Sequence, residues 1–560
     1  MTDKILMKFA KKGINLSPEA YNLILEDENP TMLASSVIVK LKGRDYKPKD
    51  LISVSIDVIN SIKEELGSNN IKKPVMNKIK IEREPVEKPL TKKEKVDVKK
   101  EEITLQLKEK KKIIEEAKQI KEVISEQKIA NVSSETVEDV KIKYERNMNK
   151  IDAVYDYKVI QDSSKKSYTS GEIEDMIAYF QNRYEKLSNI LKRRPELKVT
   201  QKINEIDDNA DQSLNMILMV KSIRTTKNGH KLIEFEDDTG SLPVLFSNKN
   251  EELFDEAEKL IRDEVIGVIA DKQAGKDNIA FGREIINPGV LRIKEKPMDF
   301  GIVFLSDIHI GSLNFLEEEF NKFIDWINCD YGSEEQRKVA EDIKYLLIDG
   351  DIVDGIGVYP NQEHDLAIKD IRLQYDEAAR FLGKIRSDVK IIIAPGNHDA
   401  SRIAEPQPAI PEEYAKSLYE LDNVEFVSNP AVISCDGINI LMYHGESFLE
   451  FQQGSNKFDQ LKSEGIMEEM LNKRHLAPVY GEKTPLASEL EDYLVIDEIP
   501  DILHTGHVHV NRYKKYQGVH LINSGTWQTQ TDFQKIKNII PTPGQVGIIH
   551  KNKYKQFNFI

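Results

Sequence analysis

Five apolar runs between residues 299 and 507 end abruptly in a carboxylate, an amide or an imidazole, and this pattern restricts the fold more than any other feature of the chain. The runs are DFGIVFLSD, KYLLIDGD, VKIIIAPGN, NILMYHG and PDILHTGH. Short segments that are apolar throughout suit strands buried on both faces, within a sheet covered by helices. In open α/β sheets the active site lies beyond the carboxyl ends of the strands. Each run delivers its polar residues at that end.

Those residues form five segments: Asp307-Ile308-His309, Gly350-Asp351-Ile352-Val353-Asp354, Gly396-Asn397-His398-Asp399, Tyr443-His444-Gly445 and Gly506-His507-Val508-His509. Nine of the 11 histidines fall between 309 and 520. In an extended segment residues i and i+2 project to one side. Asp307 with His309, and His507 with His509, are therefore each expected to turn two donors toward one pocket. Carboxylate, imidazole and amide oxygen together suit Mn, Fe or Zn better than Ca. Asp351 is expected to bridge two ions with its two oxygens, and the glycines to let the backbone turn sharply and a phosphate approach. Alone, each piece is ordinary: D-x-H is usually a surface turn, and G-N-H-D a turn with Asn in the left-handed region. Five such pieces in one order, each closing an apolar run, are not.

The chain has 560 residues, which predicts two or three domains plus linkers. Residues 1–65 read as a small helical module, with Ser17-Pro18-Glu19-Ala20 as a helix start. Residues 66–145 carry Lys and Glu throughout and read as a charged flexible linker. Residues 146–210 read as a helical connecting segment. In it Ile173, Met176, Ile177, Phe180, Tyr184, Leu187 and Leu191 recur at spacings of three and four. Residues 211–295 switch to period-two runs with one helix-like stretch between the third and fourth, the pattern of an OB-type barrel. Its aromatics are Phe235, Phe246, Phe254 and Phe281, mostly expected in the core, so the barrel reads as structural rather than as a base-stacking platform. Residues 296–560 hold the five runs. The expected class is thus a multidomain α+β/α-β protein.

Lys+Arg total 80 against 95 Asp+Glu, a formal charge of 80 − 95 = −15. An acidic whole argues against free binding to a long polyanion, so any nucleic-acid contact must be local, metal-assisted or supplied by a partner. Two isolated cysteines, Cys329 and Cys435, exclude a disulfide framework. The opening MTDKILMKFAKKG lacks a signal peptide's apolar run, and no stretch is apolar enough to span a bilayer, so a soluble, cytoplasmic protein is expected.

The set D-x-H, G-D-x-x-D, G-N-H-D, H and G-H-x-H resembles the calcineurin-like metallophosphoesterase superfamily over roughly residues 300–530. That resemblance implies a two-sheet β-sandwich flanked by helices and two divalent ions, Mn2+ foremost, with Mg2+, Fe2+ or Zn2+ also compatible. One ion would take Asp307, His309, Asp351 and His509; the other Asp351, Asn397, His444 and His507. His398 would sit by the phosphate as the catalytic residue. Asp354 is an outer partner, and Asp399 either orients His398 or caps a helix. His364 is a candidate to reach the site from its loop. Lys473, Arg474 and His475 are weighed between a phosphate grip and compensation of a helix C-terminus. Arg512, Lys514 and Lys515 read as a solvated strand edge. The terminal YKQFNFI reads as a closing strand rather than a clamp-binding peptide.

Protein phosphatases of the superfamily carry Arg after the second Asp and end the third motif in Glu, whereas this chain has Gly355 and Asp399, as repair nucleases do. With the barrel upstream, the segments at 357–380 and 472–509 resemble the small subunit of the archaeal family-D DNA polymerase. That likeness implies a 3′→5′ proofreading exonuclease acting on single-stranded or mismatched DNA 3′ ends. It also implies a large catalytic polymerase subunit as partner and a sliding clamp reached through the holoenzyme. A non-catalytic scaffold subunit and a stand-alone phosphoesterase are the alternatives.

Overall fold

The computed structural model describes residues 14–16, 24, 37, 52–54, 134–140, 155–166, 169–275 and 279–560. The chain divides into two compact units, Met1–Gln127 and Lys128–Ile560. In the first, β1 (Ile14–Leu16) pairs in parallel with β2 (Ile52–Val54), and Ile24 and Val37 are helical and buried. The module expected to be helical therefore also holds strands. The charged linker expected over 66–145 lies outside the described residues as far as 133.

The second unit starts with two strands that sequence patterning missed. β3 (Glu135–Thr136) and β4 (Tyr157–Asp162) each add an edge to a sheet formed more than two hundred residues later. The expected linker and the expected helical segment thus each contain a strand. The amphipathic helix is present at Ile173–Leu191, but its buried face is not the expected one. Ile173 and Ile177 are exposed, while Tyr179, Arg183, Leu187 and Leu191 are buried.

Next come β5 (Gln212–Thr225), β6 (Lys231–Asp237), β7 (Gly240–Phe246), β8 (Val265–Lys272) and β9 (Ala280–Ile286), which close into a barrel in the order β5-β6-β7-β9-β8. The helix Glu251–Glu258 lies between the third and fourth strands, where the sequence placed it. Phe235 and Phe246 fill the interior edge to face, and Phe254 and Phe281 are half-buried.

The remaining strands form two sheets. β10 (Gly301–Leu305), β11 (Ile343–Asp349), β12 (Lys390–Ala394) and β13 (Val424–Phe426) are mutually parallel. The other sheet contains β14 (Ala431–Cys435), β15 (Ile438–Met442), β16 (Ile502–Thr505), β17 (Arg512–Tyr516) and β18 (Val519–Asn523), with β4 at its edge. β19 (Gln545–His550) and β20 (Lys553–Asn558) return antiparallel to complete the first sheet against β10, with β3 outermost. The five apolar runs are thus divided, three to one sheet and two to the other, which their shared pattern does not reveal. Ile302, Phe304, Leu347 and Ile392 meet Ile433, Ile440, Met442 and Ile522 between the sheets. Helices Glu317–Ile327 and Ile371–Leu382 cover one outer face, and Phe448–Gly454 and Ser463–Lys473 the other. The terminal segment is a closing strand as expected, with Phe557 and Phe559 buried. Both cysteines are buried, and no disulfide joins them. Among the described residues no helix is long and apolar enough to cross a membrane.

Buried ionic contacts tie the connecting helix, barrel and sandwich together. Arg183 Nε donates to Asp492 Oδ2 at 2.7 Å, and its Nη1 donates to the carbonyls of Asp263 and Pro478. Asp492 also bonds His475 Nε2 at 2.9 Å, and Lys473 pairs with Glu264 of the barrel at 2.7 Å. Arg474 donates to the carbonyls of Gly289 and Ile496. Lys473, Arg474 and His475 are therefore buried domain clamps rather than a phosphate grip, and Lys473 and Arg474 do stand at the C-terminus of the helix Ser463–Lys473. Arg512, Lys514 and Lys515 lie on the edge strand β17, paired with Glu464, Glu468 and Glu295.

Removing one partner of a buried ion pair costs about 3–5 kcal/mol. Arg183→Met should lower the denaturant midpoint by that order, while Lys202→Ala, whose pair with Asp238 is exposed, should leave it unchanged. Burial pushes His475 down to about 4, and Arg183 adds to the effect. Between its ordinary value near ~6.5 and 4, the unfolded chain takes up a proton that the folded chain refuses. This stabilisation is complete above the upper value and lost as pH falls through the window. His475→Gln should flatten that part of a midpoint-against-pH curve.

Candidate metal centre

The loops after β10, β11, β12, β15 and β16 converge at one end of the two sheets. They bring all seven expected donors and His398 together. The convergence is not that of extended strands. Asp307 (φ 51°), His309 (φ 55°), Asp351 (φ 53°), His507 (φ 69°) and His509 (φ 60°) all occupy the left-handed region. Side chains with a Cβ adopt it at a cost, and several such residues at one site mark a place where function sets the backbone. The i and i+2 residues meet because each turns inward separately.

Donor spacing gives the site its chemistry. Donors about 2.1 Å from one ion, at tetrahedral to octahedral angles, lie about 3.0–3.4 Å apart. In the first group His309 Nε2 is 3.1 Å from His509 Nε2, which is 3.3 Å from Asp307 Oδ1. Asp351 Oδ2 lies 3.9 Å from His309 Nε2. In the second group Asp351 Oδ2 is 3.4 Å from His444 Nε2, Asn397 Oδ1 is 3.2 Å from His444 Nε2, and His507 Nδ1 is 3.0 Å from Asn397 Oδ1. Asp351 Oδ2 faces both groups. Asp307 Oδ1 is buried without a hydrogen-bond partner. An orphaned carboxylate oxygen among buried imidazole nitrogens fits a divalent cation.

Outer contacts orient the donors, as around metal-binding imidazoles generally. His444 Nδ1 donates to the Asp349 carbonyl at 2.8 Å, leaving Nε2 as donor. His309 Nδ1 lies 3.0 Å from Asp354 Oδ1, a distance at which the carboxylate can orient that imidazole. His398 Nδ1 donates to the Asp354 carbonyl at 2.7 Å, and its backbone N–H donates to Asp351 Oδ1 at 2.8 Å. Its ring stands edge-on to His309, with centroids 4.7 Å apart. Asp399 takes neither expected role. Its carboxylate accepts from Gly396 N at 2.9 Å and Tyr375 Oη at 3.1 Å, which staples the third loop to the sandwich. His364 is mostly exposed, its Nδ1 bonded to the Asn361 carbonyl, and it is not brought into the site. Two glycines serve loop packing rather than phosphate approach. A Cβ on Gly396 would meet Asp351 N at 2.6 Å, and one on Gly350 would meet the Gly396 Cα at 2.7 Å.

Burial opposes every charge here. Against it, the imidazoles of His509 and His444 hold Asp307 below the usual carboxylate range, and His444 and His398 hold Asp351 well below. Burial likewise lowers His398, but Asp351 and Asp354 outweigh it and raise that imidazole. Burial pushes His507 down to about 3, which keeps a neutral donor.

Buried glutamines around the centre went unnoticed in the sequence. Gln362 and Gln528 donate to the two oxygens of Asp354, each at 3.2 Å. Gln534 hydrogen-bonds His509 Nδ1 at 2.9 Å. They sit in loops and a short helix far from the motifs, where a glutamine carries no sequence signal.

A helix-flanked double sheet with a buried Asp/His/Asn cluster at its strand ends defines an α/β protein with a candidate metal centre. The B-subunit family of DNA polymerases alpha and epsilon matches residues 302–514. The chain is 58% identical over 405 residues to the DNA polymerase II small subunit of Methanothermobacter thermautotrophicus, covering 72% of this chain and 83% of that one. It is 44% identical over 394 residues to that of Archaeoglobus fulgidus (70% and 78%), and 38% identical over 432 residues to that of Pyrococcus furiosus (74% and 69%). The chain belongs to the DNA polymerase II small subunits, the small subunits of the archaeal family-D polymerase. A solved structure described as a novel archaeal phosphodiesterase overlaps at a TM-score of 0.23 with 14% identity, covering 46% of this chain and 98% of that one, too slight an overlap to bear on the fold.

A ligand that binds only the folded state raises stability, by about 2.7 kcal/mol at a hundredfold excess over its Kd. Mn2+ should therefore raise the unfolding midpoint of the parent chain and leave that of Asp351→Asn unmoved. Gln534→Ala should weaken Mn2+ binding by about tenfold, the usual effect of losing an outer partner, as read by titration calorimetry.

Proposed function

We propose that this chain is the 3′→5′ proofreading exonuclease subunit of a heterodimeric replicative DNA polymerase. In this reading it hydrolyses DNA phosphodiesters on a pair of divalent ions, Mn2+ foremost. The observation that carries the reading is that seven candidate donors fall into two groups with Asp351 Oδ2 between them, 3.4 Å from His444 Nε2 and 3.9 Å from His309 Nε2. A scaffold has no use for strained, mutually facing donors.

A bound ion pair lowers the pKa of a shared water and clamps the attacking and leaving oxygens. The chain's own residues do the rest. Asp307, His309, Asp351 and His509 would hold one ion, and Asp351, Asn397, His444 and His507 the other. The Nδ1 bond to the Asp354 carbonyl fixes His398 so that Nε2 is free for substrate. From there it would donate a proton to the leaving 3′ oxygen. The barrel, with its 1-2-3-5-4 strand order, reads as OB-type and as a docking body rather than a base reader. A large polymerising subunit would hold the duplex, which resolves how a chain of net charge −15 handles DNA.

His398→Ala should cut kcat on a 3′-mismatched primer by about 10²–10⁴, the usual worth of a general acid, with the Mn2+-induced rise in unfolding midpoint retained. Degradation at the parent rate by that variant, with or without the large subunit, would sink the reading.

A further inference from the structure

Three surface segments around the centre share one arrangement. Each turns a buried polar side chain toward the donors and an apolar one into solvent. In the loop after β11, Gln362 reaches Asp354 while Tyr359 is partly exposed. Beyond His309, buried Ser312 accepts from Gln528, and Leu313 beside it is 64% exposed. In the helix Asp532–Lys537, Gln534 bonds His509, while Phe533 and Ile536 are 64% and 82% exposed.

The segments are joined by backbone hydrogen bonds: Leu313 N donates to the Asp365 carbonyl at 2.8 Å, and Thr529 N to the Asn314 carbonyl at 2.9 Å. They form one continuous rim, and Gln534, a single residue from Phe533, touches a donor of the centre. Lys537 lies over the Phe533 ring, 5.8 Å from its centroid. Large exposed apolar side chains in a contiguous strip mark a binding surface. A strip continuous with a phosphodiester-cleaving centre, with an aromatic ring and a lysine, fits flat uncharged groups tethered to a phosphate chain.

We infer that this rim is a stacking platform for the unpaired bases at the 3′ end of a DNA strand, with Phe533 as its principal ring and Leu313 and Ile536 beside it. The inference rests on the proposed exonuclease reading and adds the determinant of strand preference. Aromatic faces stack any base and so do not read sequence. They require only that the base be free of its partner, which is the state of a mispaired terminus. At a paired end the terminal base is held in plane by its partner, so it must unpair before it can turn onto the rim, a cost that a mispaired base does not meet. Among the described residues of the barrel, Phe235 and Phe246 are inside it and Phe254 and Phe281 are half-buried.

The test is steady-state cleavage of single-stranded and of fully paired DNA by the parent chain, Phe533→Ala and Phe533→Trp. Loss of one base stack raises KM by about tenfold. Phe533→Ala should show that rise on single strands, not on paired ends, with kcat little changed, and Phe533→Trp should restore the parent KM. Binding is read separately with 2-aminopurine as the 3′-terminal base, on His398→Ala protein with Mn2+ so that the strand stays intact. Its fluorescence should be quenched on binding, and the quench lost when Phe533→Ala is added. An unchanged KM and an unchanged quench overturn the inference, as does a Phe533→Ala defect confined to capture of the large subunit, which would make the rim a protein contact. A parent chain that cuts no DNA sinks the exonuclease reading instead, and the 2-aminopurine signal still decides the stacking.

Discussion

Everything at the centre depends on one carboxylate in a place hostile to charge. Asp351 is 2% exposed, with Oδ2 turned to His309 and His444 and Oδ1 taking the backbone N–H of His398. An isolated ionised carboxylate cannot be buried so deeply without compensation. The surrounding imidazoles and N–H groups supply it here, and cations would supply more. The glycines follow from the same demand. Gly350 and Gly396 let the second and third loops close on each other, so that Asp351 is reached from both sides. The left-handed φ values at five donors are the backbone cost of aiming short side chains from separate loops at one point, and the rigid double sheet beneath holds them there.

Much of this was legible in the amino-acid sequence because strand burial and donor chemistry both leave local traces. Apolar runs ending in Asp, Asn and His marked the strands and the polar residues that converge beyond their ends. What escaped notice is what has no local trace. β3 and β4 are short and partly polar because they lie on sheet edges, and nothing in Glu135–Thr136 announces pairing with β20. Arg183 sits on a helix whose apolar spacing is regular, yet it is Arg183 that is buried, because Asp492 lies opposite it about three hundred residues later. Lys473, Arg474 and His475 look like a basic surface patch until their partners Glu264 and Asp492, distant in sequence, take them inside. Periodicity reports that a residue is apolar or charged. It does not report whether a partner across the fold neutralises the charge.

The same distinction separates the expected from the observed roles of the smaller site residues. Asp354 lies beside His309 because of its place three residues after Asp351. Asp399 takes neither expected role, because its direction is set by Tyr375, which lies on another helix. His364 is a histidine near the motifs in sequence and apart from them in space, which shows that clustering of a residue type along the chain is weaker evidence than convergence at strand ends.

Electrostatics and shape together constrain how such a chain meets DNA. The cations near the sandwich are mostly spent on structural partners: Lys473 on Glu264, Arg183 on Asp492, Lys515 on Glu295. A net charge of −15 would repel a phosphate backbone at long range. On the proposed reading, attraction would have to be short-ranged, from ions held at the centre and from apolar contact at its rim. Both act only on a strand end that has already been delivered and unpaired. On the proposed exonuclease reading, a chain with that requirement would be a poor scavenger of intact duplex, and it could reside beside a polymerising partner without degrading the paired ends that the partner extends.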